Sequence, residues 1–348
     1  MSIQNSRFLR VCRGETVDTT PVWFMRQAGR YMAEYRELRQ RYSILDIINS
    51  AELSCQVTLQ PIQQFDLDAA IIFADILPPL MSLGFSLDYI KGEGPLIHNP
   101  IRTAADVTNL QWRDPREQMA GTLQAIRLVT PELASRNIPL IGFSGAPFTL
   151  ASYAIEGMGG TSRLTLKQFM YNQPHAWHTL MQLLARVSGE LLLAQAEAGA
   201  NALQLFDSWV GELSPFDYRH YVLPYTQQAI QIAQKAQVPI IHFGTGTAGL
   251  LADIAQTNSD VIGIDWRITL PQARQILGND VVLQGNLDPA VLCADWNVVQ
   301  HHTQEIIDQV GYTGKHIFNV GHGILPQTPV DTVARLIDEV HRYASKYH

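Results

Sequence analysis

The residues best able to do chemistry in this sequence stand beside short apolar runs. Arg26 and Arg30 follow PVWFM (21–25) in RQAGR, Asp75 ends IIFAD, Tyr153 lies in GAPFTLASYAIEGMGG, Ser208 follows Asp207, and His322 sits between two glycines after HIFNV. Residues 1–41 hold eight Arg, no Lys and four acids, a local charge of +4 in a chain of net −7. A guanidinium offers a planar fork that grips carboxylates with paired bonds, so an Arg-only cluster points to an anionic ligand. Gly29 leaves space between Arg26 and Arg30 for a ligand to approach the backbone. Arg36 and Arg41 read as a solvated helix face. A carboxylate at 75 among apolar neighbours is costly unless it caps a helix or meets a ligand, and Pro78 and Pro79 disfavour a regular helix there. Tyr153 reads either as a core tyrosine or as a ligand contact. His322 reads either as a satisfied structural imidazole or, by its place after an apolar run, as a functional one.

The elements that must position these groups recur. Eight apolar runs appear at 21–25, 69–74, 139–144, 202–207, 239–244, 261–266, 281–286 and 316–321. They are continuous, as strands covered on both faces require. Helical spacing fills 52–65, 115–134, 174–199, 216–236, 247–257, 270–278, 295–310 and 329–346. Eight β–α repeats predict a (β/α)₈ barrel, read as one domain over 1–348 because no compositional break interrupts the chain. Two long connections, 26–68 and 75–138, are candidate functional loops, and the second contains a stretch able to form a hairpin. In such a barrel, polar residues at the C-terminal strand ends face the active-site mouth. That rule nominates Arg26, Asp75, Ser144, Asp207 with Ser208, His242, Asp265, Asn286 with Asp288, and His322.

Composition removes several classes. An acidic balance and a pI near 5.9 argue against broad nucleic-acid binding. Cys12, Cys55 and Cys293 are far apart, with no C-x-x-C, which leaves neither a disulfide framework nor a cysteine zinc ribbon. The start MSIQNSRFLR has no apolar signal core, and the long uncharged stretch 137–155 is broken by Pro139, Gly142, Gly145 and Pro147, so a cytoplasmic protein with no membrane partner is expected. GTGTAG (244–249) matches G-x-G-x-x-G, with Asp265 about 20 residues on, but it falls on the fifth of eight units, whereas a Rossmann domain opens with it. GMGGTSR (157–163) lacks the P-loop Lys and reads as a turn. Ser208 has no G-x-S-x-G context and reads as a hydrogen-bond donor.

The stretch PVWFMRQAGRYMAEYRELR (21–39) closely resembles the uroporphyrinogen decarboxylase family, and LDAAIIFADIL, GFSGAPFTLASYAIEG, LQLFDSWVGEL, QGNLDP and FNVGHGILPQTP follow in that family's order. The resemblance spans essentially the whole chain. It implies a homodimer of distorted (β/α)₈ barrels, free of cofactor and metal, that converts the four acetates of uroporphyrinogen III to methyls and releases coproporphyrinogen III. It further implies substrate contacts at Arg26, Gln27, Ala28, Gly29, Arg30, Arg39, Asp75, Tyr153, Ser208 and His322, with Asp75 stabilising a protonated pyrrole. Arg26, Tyr153 and His322 are the candidate proton donors by reach. A related corrinoid methyltransferase would need H-x-C on the fifth strand; here it reads His242-Phe243-Gly244. A non-catalytic tetrapyrrole binder would keep the arginines without needing Asp75.

Overall fold

The computed structural model describes residues 3–90, 92, 94–159 and 162–347. Within the GMGGTSR turn, Gly160 and Thr161 lie outside the described residues. Seven parallel strands form one sheet, in the order β1 (Ala70–Ile71), β4 (Leu140–Gly145), β5 (Ala202–Asp207), β6 (Ile240–Gly244), β7 (Val261–Gly263), β8 (Val282–Leu287) and β9 (His316–Val320). The sheet is curled. Gln204 of β5 and Gln284 of β8 are three strands apart, yet Gln284 Nε2 donates to Gln204 Oε1 at 3.0 Å, and Trp23 Nε1 donates to Gln284 Oε1 at 3.0 Å. Side chains from nonadjacent strands meet this way only across the concave side of a sheet.

That concave side is mainly apolar, and its polar groups include the Trp–Gln–Gln chain and Asn319, which accepts Met25 N–H. Trp23, Met25, Ile141, Ile241, Val282 and Ile317 cluster there with Phe8, Leu9, Val11 and Cys12 of the helix Arg7–Cys12, which packs on β9. Helices cover the convex side. Those expected from spacing are found at Ala51–Gln64, Pro174–Ala198, Leu270–Leu277, Trp296–Val310 and Val330–Ala344. The 216–236 prediction is shorter as a regular helix, Leu223–Ala233, which restarts where Pro224 needs no N–H partner. The 247–257 prediction breaks into three single turns.

The run 21–25, expected as a strand, does not form a ladder. Side-chain oxygens take its donors: Val22 N–H bonds Asp68, Phe24 N–H bonds Gln27 and Met25 N–H bonds Asn319. Its remaining groups reach both sides. Trp23 N–H donates to Phe318 O of β9 at 3.4 Å, and Val22 O accepts from Asp68 N–H at 2.9 Å just before β1. The strand expected at 69–74 is cut to two residues for a similar reason. After Ile72, the Phe73 N–H is taken by the Thr58 hydroxyl and its carbonyl by Ser54, both on the Ala51–Gln64 helix. The chain is thereby steered off the sheet toward Asp75.

The predicted hairpin is present as β2 (Leu87–Ile90) paired antiparallel with β3 (Gly94–Ile97). It is strapped to the helix Pro147–Glu156: Ile97 N–H donates to Gly157 O at 2.7 Å and Ile101 N–H to Ala154 O at 2.9 Å. Among the described residues no helix is long and apolar enough to cross a membrane.

Candidate active site

Parallel strands put all their C-terminal ends on one side, and the polar residues nominated there sort into two groups. One group is spent on holding the fold. Ser144 is fully buried and donates to Gly145 O, Asp207 accepts the Thr149 hydroxyl at 2.9 Å, and His242 is buried, 3.4 Å from Thr257 Oγ1 and 3.7 Å from Asp207. Asp265 accepts Gly246 N–H at 2.7 Å and pairs with Arg267. Asn286 donates to the carbonyls of Asp265 and Ile268, and Asp288 accepts Ala290 N–H. These six were expected at the mouth by position; Asp207, His242, Asp265 and Asn286 instead link neighbouring strand ends, while Ser144 and Asp288 bond within their own segments. The Asp265 bond also disposes of the dinucleotide motif, since the loop N–H that a pyrophosphate would use is already taken.

The second group converges. Arg26 is exposed and held at φ 61°, a left-handed conformation uncommon outside glycine and often found at functional sites. Its stem lies over Gly323, where any Cβ would collide with it. Gly29 serves this turn, since a Cβ there would stand 2.9 Å from the Arg26 carbonyl. That is a need of the backbone, whereas the sequence had suggested ligand access. Gln27 is buried; it accepts Phe24 N–H, donates to Ala69 O, and its carbonyl accepts the Tyr31 hydroxyl. Its side chain therefore fixes the turn. Arg36, expected to be merely solvated, donates to the carbonyls of Arg30 and Tyr31 and so braces the same turn.

Asp75 is half-buried, and its Oδ1 accepts Leu77 N–H at 3.0 Å in a local turn that replaces a helix cap. Burial raises its pKa above the usual carboxylate value; the Tyr89 hydroxyl, the Leu77 N–H and Arg26 oppose that rise without cancelling it. Burial raises the pKa of Tyr35, the buried residue of the helix Ala33–Arg41, and Arg39, Arg30, Asp75 and Arg26 all lie near enough to act on it electrostatically. Arg39 shares a helix face with Tyr35 and donates to Tyr42 O.

Tyr153 stands one helical turn after Thr149. Its ring meets Trp209 edge-on at 6.2 Å, and the Arg163 guanidinium stacks on Trp209 at 3.8 Å. Thr149 accepts Trp209 N–H at 3.4 Å while donating to Asp207, so the Ser208 loop and the Tyr153 helix are locked together. Burial raises the Tyr153 pKa, and the phenol stays protonated at neutral pH. His322 is partly buried beside Arg26 and Arg267, and its pKa is pushed down to about 4, first by burial and then by those two cations. A neutral imidazole is the result.

These features coincide with a family. The model of the family described as uroporphyrinogen decarboxylase (URO-D) matches residues 3–343. The chain belongs to that family. It is 53% identical over 348 residues to the uroporphyrinogen decarboxylase of Roseiflexus sp. (strain RS-1), covering 98% of this chain and 99% of that protein. It is 46% identical over 345 residues to that of Thermus thermophilus, covering 99% of this chain and all of the relative. Among solved structures, a methyltransferase from Methanosarcina mazei superposes with a TM-score of 0.78 at 18% identity over 99% of both chains, a likeness of fold alone. For a uroporphyrinogen decarboxylase family member, the absence of cysteine at Gly244 separates the site from the thiolate zinc sites weighed above. Among the described residues no group of three His, Cys, Asp or Glu converges on one point.

The sequence reading missed Tyr35, Tyr89, Trp209 and Arg267. Tyr35 had a signal, the i,i+4 spacing with Arg39. Tyr89 and Arg267 had none, because only the folded chain brings them beside Asp75 and His322.

The low pKa of His322 has a measurable consequence for stability. Its folded value of about 4 lies below the ordinary 6.5, so between these values the unfolded chain binds the proton more tightly. The contribution is complete above pH 6.5 and is lost as pH falls toward 4. We expect His322→Asn to remove up to about 3 kcal/mol of the fall in unfolding free energy across that window. Denaturant titrations at a series of pH values measure it; parallel curves for parent and variant would contradict the assignment.

Proposed function

We propose that this chain decarboxylates the four acetate side chains of uroporphyrinogen III in turn, giving coproporphyrinogen III and four CO₂. The observation that carries the reading is a single carboxylate, Asp75, set with Tyr35 among Arg26, Arg30 and Arg39 at the C-terminal side of the sheet. Such a site can attract an octacarboxylate through its arginines while presenting one anion to the pyrrole N–H groups at the centre of the macrocycle.

The chemistry needs an electron sink, and a pyrrole protonated at carbon supplies one without cofactor or metal. As the C–COO⁻ bond breaks, its electron pair flows into the cationic ring and CO₂ leaves. Protonation of the resulting exocyclic methylene and loss of the ring proton then yield a methyl group. Each cycle takes up one proton and releases one CO₂. Asp75 stabilises the cationic ring, Arg30 and Arg39 hold peripheral carboxylates, and Gln27, Ala28 and Gly29 contribute the turn that carries Arg26. Ser208 and neutral His322 donate or accept hydrogen bonds. His322, uncharged in the free protein at neutral pH, is disfavoured as the proton donor, which leaves Arg26 and Tyr153.

The fold reading that goes with this is a single-domain, closed and distorted (β/α)₈ barrel whose mouth is the site. The bonds of 21–25 to both β9 and the approach to β1 support it. A cytoplasmic homodimer is the accompanying proposal; an exposed aromatic cluster, with Phe216 70% accessible, favours a covered surface. The test is anaerobic incubation of metal-stripped protein with uroporphyrinogen III, followed by oxidation and chromatographic counting of carboxyls. Hepta- through tetracarboxyl products are expected. Tight binding with all eight carboxyls retained would make the protein a carrier.

A further inference from the structure

Tyr89 is a buried polar group that the proposed chemistry leaves unused. It sits on β2, opposite Pro95 of β3, and that hairpin is fixed to the helix carrying Tyr153 by the Ile97 and Ile101 backbone bonds and by the Leu96–Met158 bridge. Its hydroxyl oxygen is closed off from solvent and makes no hydrogen bond of normal geometry within the described structure. It lies beside the Asp75 carboxylate all the same, and each influences the other's protonation. Asp75 has one oxygen engaged by Leu77 N–H.

A buried hydroxyl without a partner lowers stability, and phenylalanine would fill the same space without that cost. Hydrogen bonds of catalytic groups are often long in the free protein and tighten when substrate arrives. We propose that the Tyr89 hydroxyl is a positioning group that already favours the Asp75 carboxylate in the free protein and closes onto it as a full hydrogen bond when substrate binds, keeping that carboxylate ionised and aimed at the pyrrole N–H groups. The inference rests on Asp75 being the group that meets the substrate. The other groups facing Asp75 are Arg26 from the 21–30 segment, Tyr35 from the helix Ala33–Arg41, and Tyr153 from the helix Pro147–Glu156. Arg26 is the cation among them. The Tyr89 hydroxyl and the N–H groups of Leu77 and Ile76 are placed to donate directly to the carboxylate, and Tyr89 is the side chain among them.

The sign of the effect follows. A donor to the carboxylate favours its charged form, so removing the hydroxyl raises the pH at which Asp75 ionises. Tyr89→Phe is expected to move the acid limb of the kcat/KM profile upward by about one pH unit and to lower kcat/KM at neutral pH by about tenfold. At acidic pH, where Asp75 is protonated in parent and variant alike, thermal stability should be equal to or above that of the parent. Unfolding free energy should fall more steeply with rising pH in Tyr89→Phe than in the parent, and this extra slope should vanish when Tyr89→Phe is placed in an Asp75→Asn background. A parental acid limb in Tyr89→Phe, with Asp75→Asn inactive, overturns the inference and spares the reading of Asp75. Near-normal turnover by Asp75→Asn overturns that reading, and the inference with it.

Discussion

Asp75→Asn is expected to fold normally and to lose about 10²–10³-fold in kcat, the range found when one preorganised charge-stabilising group is removed from an active site. The amide can still accept the Leu77 N–H, so the local turn survives. In the proposed mechanism, what is lost is the negative charge opposite a ring that becomes cationic before CO₂ leaves. Stability moves the other way. Burial holds the Asp75 pKa above its unfolded value, so the folded chain binds this proton more tightly. As pH rises through the raised pKa the folded state has to carry a poorly solvated charge, and the contribution of Asp75 to stability falls. At neutral pH the Asn variant should therefore melt no lower than the parent, which calorimetry measures alongside single-turnover kinetics. A variant that is both inactive and markedly less stable would make Asp75 part of the scaffold. One that keeps near-normal turnover would remove it from the mechanism.

The same residue shows how far the sequence could be read. Its position after an apolar run, followed by two prolines, was enough to mark it, because the cost of burying a carboxylate is a local property of its neighbours. The cadence of apolar runs likewise placed the seven ladder strands, since each had to be buried on both sides. The run 21–25 was equally apolar and yet forms no ladder, because Asp68, Gln27 and Asn319 take three of its N–H groups. Asn319 lies 294 positions from Met25, the donor it satisfies. No local pattern encodes that pairing. The rule that strand ends face the mouth named Asp207, His242, Asp265 and Asn286 as readily as Asp75 and His322. It had no means of telling a side chain that ties two strand ends from one left facing the site. The difference is made by partners such as Thr149 and Gly246, which belong to neighbouring units of the repeat.

Arg26 should be the second position of large effect, and Gly323 should expose how it is held. Arg26→Gln is expected to lower kcat/KM by about 10²-fold or more, since the paired, charge-assisted bonds a guanidinium makes to a substrate carboxylate are lost once the bound substrate has shut water out of the site. Arg26→Lys should lose less than this while failing to restore the parent, because an ammonium keeps the charge and forfeits the planar fork. Gly323→Ala reaches the same side chain from behind. Gly323 adopts a backbone conformation open to any residue, so a methyl there adds no backbone strain; the atoms it meets are those of the Arg26 stem. Arg26 cannot yield by rotating its backbone, which is already held at φ 61° by the turn that Gly29 makes room for. The guanidinium must swing away from Asp75 and His322. Gly323→Ala should consequently lose kcat/KM by about tenfold or more, with a melting temperature close to that of the parent. The decisive comparison is the double variant. If Gly323 acts through Arg26, adding Gly323→Ala to Arg26→Gln should cost little more than Arg26→Gln alone. Losses that simply multiply would mean that the glycine serves some other contact, and that the left-handed turn at Arg26 is a feature of the fold and has no part in the grip on substrate.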